Sequence, residues 1–158
     1  MSVENVKKYF SNYGIEDRVQ TLSETCATVE TAALAVGCEA KQIAKSLTFM
    51  VEGTPILIVA AGDAKVDNAK FKARFHTKAT MLKPVEVIEY IGHAIGGVCP
   101  FGIKDGVEVY LDESLRRFEI VYPAAGDSNS MIKLTLDELK KYSGYKEWVD
   151  VCKAWEEL

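Results

Sequence analysis

The stretch KQIAKSLTFMVEGTPILIVAAG, residues 41–62, decides the fold. A short helical turn leads into the apolar run SLTFMV, and EGT separates that run from PILIVAAG. Two apolar runs joined this tightly form an antiparallel hairpin, and their nearly unbroken hydrophobicity puts that hairpin in the core of a sheet.

Outward from the hairpin the pattern alternates between helices and strands. On its amino-terminal side, residues 2–14 carry Val3, Val6, Tyr9 and Phe10 at helical spacing and end at Gly14. Residues 17–24 alternate briefly, as a short strand does. Residues 27–37 read as a helix that Thr28 caps and Gly37 closes. On the carboxy-terminal side, residues 67–75 look helical, and residues 83–92 form a helix with Pro84 in its first turn and Gly92 at its end. Strands follow at 107–113, 118–126 and 130–135, with Asp112 placed to cap a turn. A helix at 135–144 has Thr135 and Glu138 at capping-box spacing, and the tail 145–158 reads as helical. Several strands succeed one another with no helix between them. That favours a single α+β domain over residues 1–158, with a mixed or largely antiparallel sheet, over a doubly wound one.

Composition narrows the function classes. Hydrophobic residues make up 48% of the 158 and charged residues 27%, the balance of an ordinary globule. No apolar run approaches the ~20 residues of a membrane span, and the start of the chain lacks a signal-peptide core, so a cytoplasmic location is expected. Cys26, Cys38, Cys99 and Cys152 are widely spaced, and His76 and His93 are the only histidines. That pattern argues against a structural zinc and for free thiols. A net charge of −4 speaks against wholesale nucleic-acid coating. Between Lys65 and Lys83, however, six basic residues stand against the single acid Asp67. Such a stripe, with Lys70, Lys72, Arg74 and Lys78 at its centre, can grip a phosphate backbone locally or be a solvated helix face.

Three features can carry chemistry. The loop GGVCPFG, residues 96–102, offers Cys99 as a nucleophile with His93 six residues upstream. Pro100, however, removes the backbone donor that commonly follows such a nucleophile. The loop backbone is the alternative. Glycines allow close approach and positive φ, and successive N–H groups make a concavity for an anion or a developing oxyanion. A tight structural connection explains the same residues without chemistry. Lys45, flanked by Ser46, enters the first core strand and is placed to hold a carbonyl or phosphate oxygen, or to be an ordinary surface lysine. PAAGDSNS, residues 123–130, can wall a pocket.

Taken together, TVETAALAVG (28–37), KQIAKSLTF (41–49), GGVCPFG (96–102), VYLDESL (109–115), YPAAG (122–126) and IKLTLDEL (132–139) resemble, in that order, the YbaK/EbsC family. These are stand-alone relatives of the editing domain of prolyl-tRNA synthetases. The resemblance implies an α+β fold around a barrel-like sheet and an aminoacyl-tRNA deacylase that hydrolyses the ester of mischarged tRNA. It implies no cofactor and no metal. The implied partners are the 3′ end of aminoacylated tRNA and prolyl-tRNA synthetase, not a membrane or DNA. The family's lysine falls on Lys45, and its substrate loop on Gly96, Gly97, Val98, Cys99, Pro100, Phe101 and Gly102. Thr28, Glu30, Ala125 and Gly126 match positions near its amino-acid pocket. The loop amides would bind the ester carbonyl as charge develops, Lys45 would hold the adenosine end, and water aided by a ribose hydroxyl would attack. Phe49, Met50 and Val98 are candidates to line the pocket. Some family members carry a basic pair and glycine where this chain has DSNSMI, residues 127–132, so the amino acid removed is left open among cysteine, alanine and other small residues. A non-catalytic module that binds tRNA or a synthetase, and a thiol-redox protein resting on Cys99, are the competing readings.

Overall fold

The structure, a computed structural model, describes residues 2–22 and 28–155. Cys26, the end of the strand expected at 17–24 and the last three residues of the tail lie outside those residues.

Helix α1 (Ser2–Ser11) buries Val6 and Phe10 completely, as its spacing requires. It leads to β1 (Val19–Thr21). Helix α2 (Val29–Val36) begins at a reciprocal capping box between Thr28 and Thr31, which satisfies two otherwise orphaned donors, and is closed by Gly37. A 3₁₀ turn at Ala40–Gln42 then feeds the hairpin. Its strands, β2 (Ile43–Val51) and β3 (Thr54–Ala61), pair antiparallel from Ala44 opposite Ala61 to Val51 opposite Thr54. The two-residue turn between them has positive φ at both positions, 49° at Glu52 and 82° at Gly53. That is the handedness that matches the twist of the flanking strands.

After β3 come β4 (Lys65–Val66) and α3 (Asn68–Phe75), the latter capped by the Asp67 carboxylate on the Lys70 amide. The turn of α4 (Pro84–Glu86) runs on into a π-helical turn, Val87–Ile91, that ends at Gly92. Strand β5 (Glu108–Asp112) is followed by a 3₁₀ turn, Glu113–Arg117, and then by β6 (Ile120–Pro123). The segment expected as one strand over 130–135 divides at Lys133 into β7 (Ser130–Ile132) and β8 (Leu134–Thr135), each with its own partner. Helix α5 (Leu136–Ser143) keeps the Thr135–Glu138 capping box. The chain then forms β9 (Glu147–Val149) and β10 (Cys152–Lys153).

The result is the expected α+β fold, in which the described residues form a curled half-barrel of six strands in the order β8-β6-β2-β3-β5-β9 and five helices. The sheet is mixed. β2/β3 and β6/β8 are antiparallel, while β2/β6, β3/β5 and β5/β9 are parallel. Two further antiparallel pairs, β1/β7 and β4/β10, form separate two-stranded sheets. β3 is covered on both faces, so Ile56 to Ala61 are all buried, and this is why its sequence is a continuous apolar run rather than an alternating one.

The tail corrects the expectation of a helix. Val149 and Val151 are buried while Asp150 between them is exposed, a period of two. The edge of β5 supplies unpaired backbone groups, and β9 takes them with Trp148 opposite Leu111. Arg116 stacks over the Trp148 ring at 4.0 Å. Asp112 is wholly buried, caps Ser114 at 2.9 Å as expected of it, and also accepts from the Val151 amide at 3.0 Å.

Candidate active site

A cleft of about 260 Å³ opens between the amino-terminal end of α2 and the first half of β2. One wall is β2, with Ile43, Lys45, Ser46 and Thr48, and Thr28, Val29 and Ala32 of α2 form a second. Met81, Leu82 and Val87 close one side, and Ile95, Gly96, Val98, Ala124, Ser130 and Met131 the other. Most of these side chains are apolar, and among the described residues no carboxylate lines the cleft.

Lys45 is the cation of this site. Its Nζ donates to the Gly62 carbonyl at 3.3 Å and to the Ala64 carbonyl. Burial pushes its pKa below the ordinary lysine value, opposed by the charges of Asp63 and Glu30 and by proximity to Cys152. The Cys152 thiol is itself pushed up to about 12 by burial and by Asp112, so near neutral pH it is uncharged and the anions facing Lys45 are the two carboxylates.

The loop 96–102 divides into two halves with different roles. Gly96 and Val98 reach the cleft. Gly96 has φ 97°, and the Ser128 side chain lies 3.1 Å from where a Cβ would sit. The Gly97 amide donates to the Ala94 carbonyl at 3.0 Å, and its carbonyl accepts from Gly126 at 3.0 Å. The Gly96 and Val98 amides have no hydrogen-bond partner among the described residues. A Cβ on Gly97 would stand 2.4 Å from the backbone of Gly126 and Asp127, so only glycine lets the two loops dock. Ala125 is buried behind this joint, with its amide on the Ser130 carbonyl at 2.9 Å. Gly126 is likewise behind the cleft wall rather than on it.

The second half turns into the core. Cys99 and Phe101 are fully buried, and Pro100 is buried beside them. Phe101 packs on Phe10 with ring centroids 4.7 Å apart. Gly102 sits against α1, where a Cβ would lie 2.8 Å from the Asn5 carbonyl. Cys99 Sγ is 3.6 Å from His93 Nε2, but burial raises the thiol to about 12 and lowers His93, so both groups are neutral. A neutral thiol sealed from solvent is a packing group.

Of the residues singled out from sequence, the cleft therefore gathers Thr28, Lys45, Ser46, Gly96 and Val98. Glu30 is exposed on α2 and does not line it. Phe49 is buried against Phe71 at 4.8 Å, and neither it nor Met50 reaches the cleft. The basic stripe lies elsewhere, on α3 and after it. Lys70 contacts Asp150 at 3.1 Å, and Arg74 pairs with Glu147, whereas Lys72 and Lys78 are exposed. Sequence reasoning missed Met81, Leu82, Ile95 and Met131. Residues 80–82 join the site by pairing alongside β2, through Met50 to Thr80 at 2.9 Å and Leu82 to Thr48 at 3.1 Å. That pairing has no local signature. Among the described residues, no group of three or more His, Cys, Asp or Glu side chains is placed to hold a metal, and no helix is long and apolar enough to cross a membrane.

The chain that builds this half-barrel and cleft belongs to the aminoacyl-tRNA editing domain family, whose model matches residues 23–142. It is 52% identical over 157 residues to the uncharacterised protein YwhH of Bacillus subtilis (strain 168), covering 99% of this chain and 100% of that one. It is 24% identical over 138 residues to the proline–tRNA ligase of Streptococcus equi subsp. equi (strain 4047), covering 85% of this chain but only 22% of the ligase. A solved structure described as a proposed trans-editing enzyme for prolyl tRNA synthetase superposes with a TM-score of 0.87 at 31% identity, covering 96% of this chain and 97% of that one.

Proposed function

We propose that the protein is a trans-editing deacylase that hydrolyses the ester of mischarged tRNA, with tRNA for proline bearing cysteine, alanine or another small amino acid as its substrate. The observation that carries this reading is the cleft itself, in which one ammonium, Lys45, is set into apolar walls with two loop amides nearby that have no partner among the described residues. At about 260 Å³ it falls just below the usual range of ligand pockets (~300–1,000 Å³). That suits an aminoacyl group and the ribose edge that carries it.

An aminoacyl ester is already activated, so the demand on the protein is positioning and charge stabilisation. Lys45 has a third N–H beyond those given to Gly62 and Ala64, and it holds the adenosine end through a phosphate or ester oxygen. The Gly96 and Val98 amides donate to the carbonyl oxygen as it becomes anionic. Water attacks, with the neighbouring ribose hydroxyl relaying the proton. Cys99 takes no part. Lys72 and Lys78 contact the acceptor stem outside the cleft. Prolyl-tRNA synthetase is the partner that supplies the mischarged product. Selection among small side chains is a second sieve, needed because one methylene separates substrates by only ~1–3 kcal/mol.

The test is a deacylation panel, in which purified protein meets tRNAs for proline charged with alanine, cysteine, serine and proline. Turnover of at least one mischarged species with sparing of the prolyl species is the expected result. Binding without turnover of any of them would overturn the assignment in favour of a non-catalytic module.

A further inference from the structure

Lys45 is steered by a pair of residues that do not line the cleft. Its two acceptor carbonyls belong to Gly62 and Ala64, which flank Asp63. Both Asp63 carboxylate oxygens receive the Arg117 guanidinium, at 2.9 Å and 2.6 Å, a bidentate geometry that fixes direction as well as distance. Arg117 is anchored in turn. Its Nε donates to the Ser114 carbonyl at 2.9 Å, one terminal nitrogen donates to the Trp155 carbonyl at 3.1 Å, and the group stacks over the Phe118 and Trp155 rings. The near end of the same turn is held by Ala61, whose amide donates to Ser114 Oγ at 3.1 Å. Space is tight on the other side, since a Cβ on Gly62 would lie 2.0 Å from the Ala40 carbonyl and 2.7 Å from Val29.

We propose that Asp63 and Arg117 are positioning residues for Lys45: the bidentate pair locks the turn whose carbonyls hold the ammonium, and so sets its aim and its charge. The inference rests on the reading in which Lys45 acts on the ester, yet it has a readout of its own. The groups facing Lys45 are Asp63 on the turn, Glu30 on α2, Lys65 on β4 and Cys152 on β10. Of these, Asp63 is the one whose charge is shared with an arginine. Asp63→Asn removes the anion and keeps one acceptor for Arg117, so Lys45 loses a stabilising charge and titrates lower. Arg117→Gln does the reverse. It leaves the Asp63 carboxylate unpaired beside Lys45, which titrates higher and is drawn off the carbonyl pair.

The experiment follows the Lys45 side chain by nitrogen-detected NMR across pH in the wild type and both variants, alongside deacylation of the mischarged tRNA that the wild type turns over. The expected result is opposite displacement of the Lys45 midpoint in the two variants. Deacylation should fall about 10- to 100-fold in each, the scale of a displacement of order 1 Å, and the alkaline limb of the pH profile should follow the midpoint. Unmoved midpoints, or displacement in the same direction, in folded variants would overturn the proposal. Should Arg117→Gln fail to fold, Arg117→Lys, which keeps the charge and loses the fork, is expected to keep the midpoint near wild type while lowering deacylation. Full activity in Arg117→Lys would count against the proposal. If the wild type turns over no ester, the deacylase reading fails, while the NMR midpoints still decide this one.

Discussion

Alanine at position 97 should force apart the two loops that wall the cleft. The new Cβ would sit 2.4 Å from the Gly126 carbonyl carbon and the Asp127 amide, and 2.5 Å from Asp127 Cα, all of them backbone atoms with no rotamer to change. Ordinary contact begins at 3.4 Å, so the loops must separate by about 1 Å, and the Gly126-to-Gly97 hydrogen bond of 3.0 Å cannot survive in place. Overpacking of this kind costs roughly 1–3 kcal/mol, which for a chain of this size lowers the melting temperature by roughly 2–12 °C. The same movement carries Gly96 and Val98 away from the place proposed for the ester carbonyl, and a misplacement of order 1 Å costs about 100-fold in rate. The comparison is Gly102→Ala, whose Cβ meets the Asn5 carbonyl of α1 at 2.8 Å, far from the cleft lining. It should lower stability and spare kcat. Thermal melts with single-turnover deacylation on both variants check the pair. A Gly97→Ala protein with wild-type rate would refute the argument that this joint shapes the cleft.

Cys99→Ala should retain deacylation within about threefold and lose stability, because it removes a buried atom rather than a nucleophile; activity and melts measured together decide it. Cys99 and Cys152 are raised from 9.0 to about 12 in the fold, so the folded state holds protons that the unfolded chain releases. Stability should therefore be fully present below pH 9 and fall as pH rises from 9 toward 12, read from urea midpoints across that range. Replacing both Lys72 and Lys78 with alanine should lower the salt dependence of tRNA binding by about 1.4–1.8 in log–log slope while leaving turnover of saturating substrate unchanged.

The hairpin was legible because its signal is local, two apolar runs and a two-residue turn whose glycine tolerates positive φ. The capped helices were legible for the same reason, with Thr28, Asp67 and Thr135 each bonding an amide three residues on. The tail was not, because Val149 and Val151 acquire their period of two only from the exposed edge of β5. GGVCPFG was legible as a special loop but not as a divided one. Gly97 is glycine for the sake of residues 126 and 127, and Gly102 for the sake of residue 5, and those partners lie far away in sequence. The cleft was half visible. Lys45 stands in a readable strand entry, whereas Met81, Ile95 and Met131 come together only when the chain folds. Arg117 carries no local signature, because the carboxylate its fork meets, Asp63, lies 54 positions away in sequence.

The decisive measurement is the single-turnover rate of deacylation of mischarged tRNA by the wild type and by Lys45→Ala, with circular dichroism confirming that both are folded. Loss of one charge-stabilising donor costs about 10²–10³ in rate, and a fall of that size is predicted. A folded Lys45→Ala protein that deacylates at the wild-type rate would contradict the account.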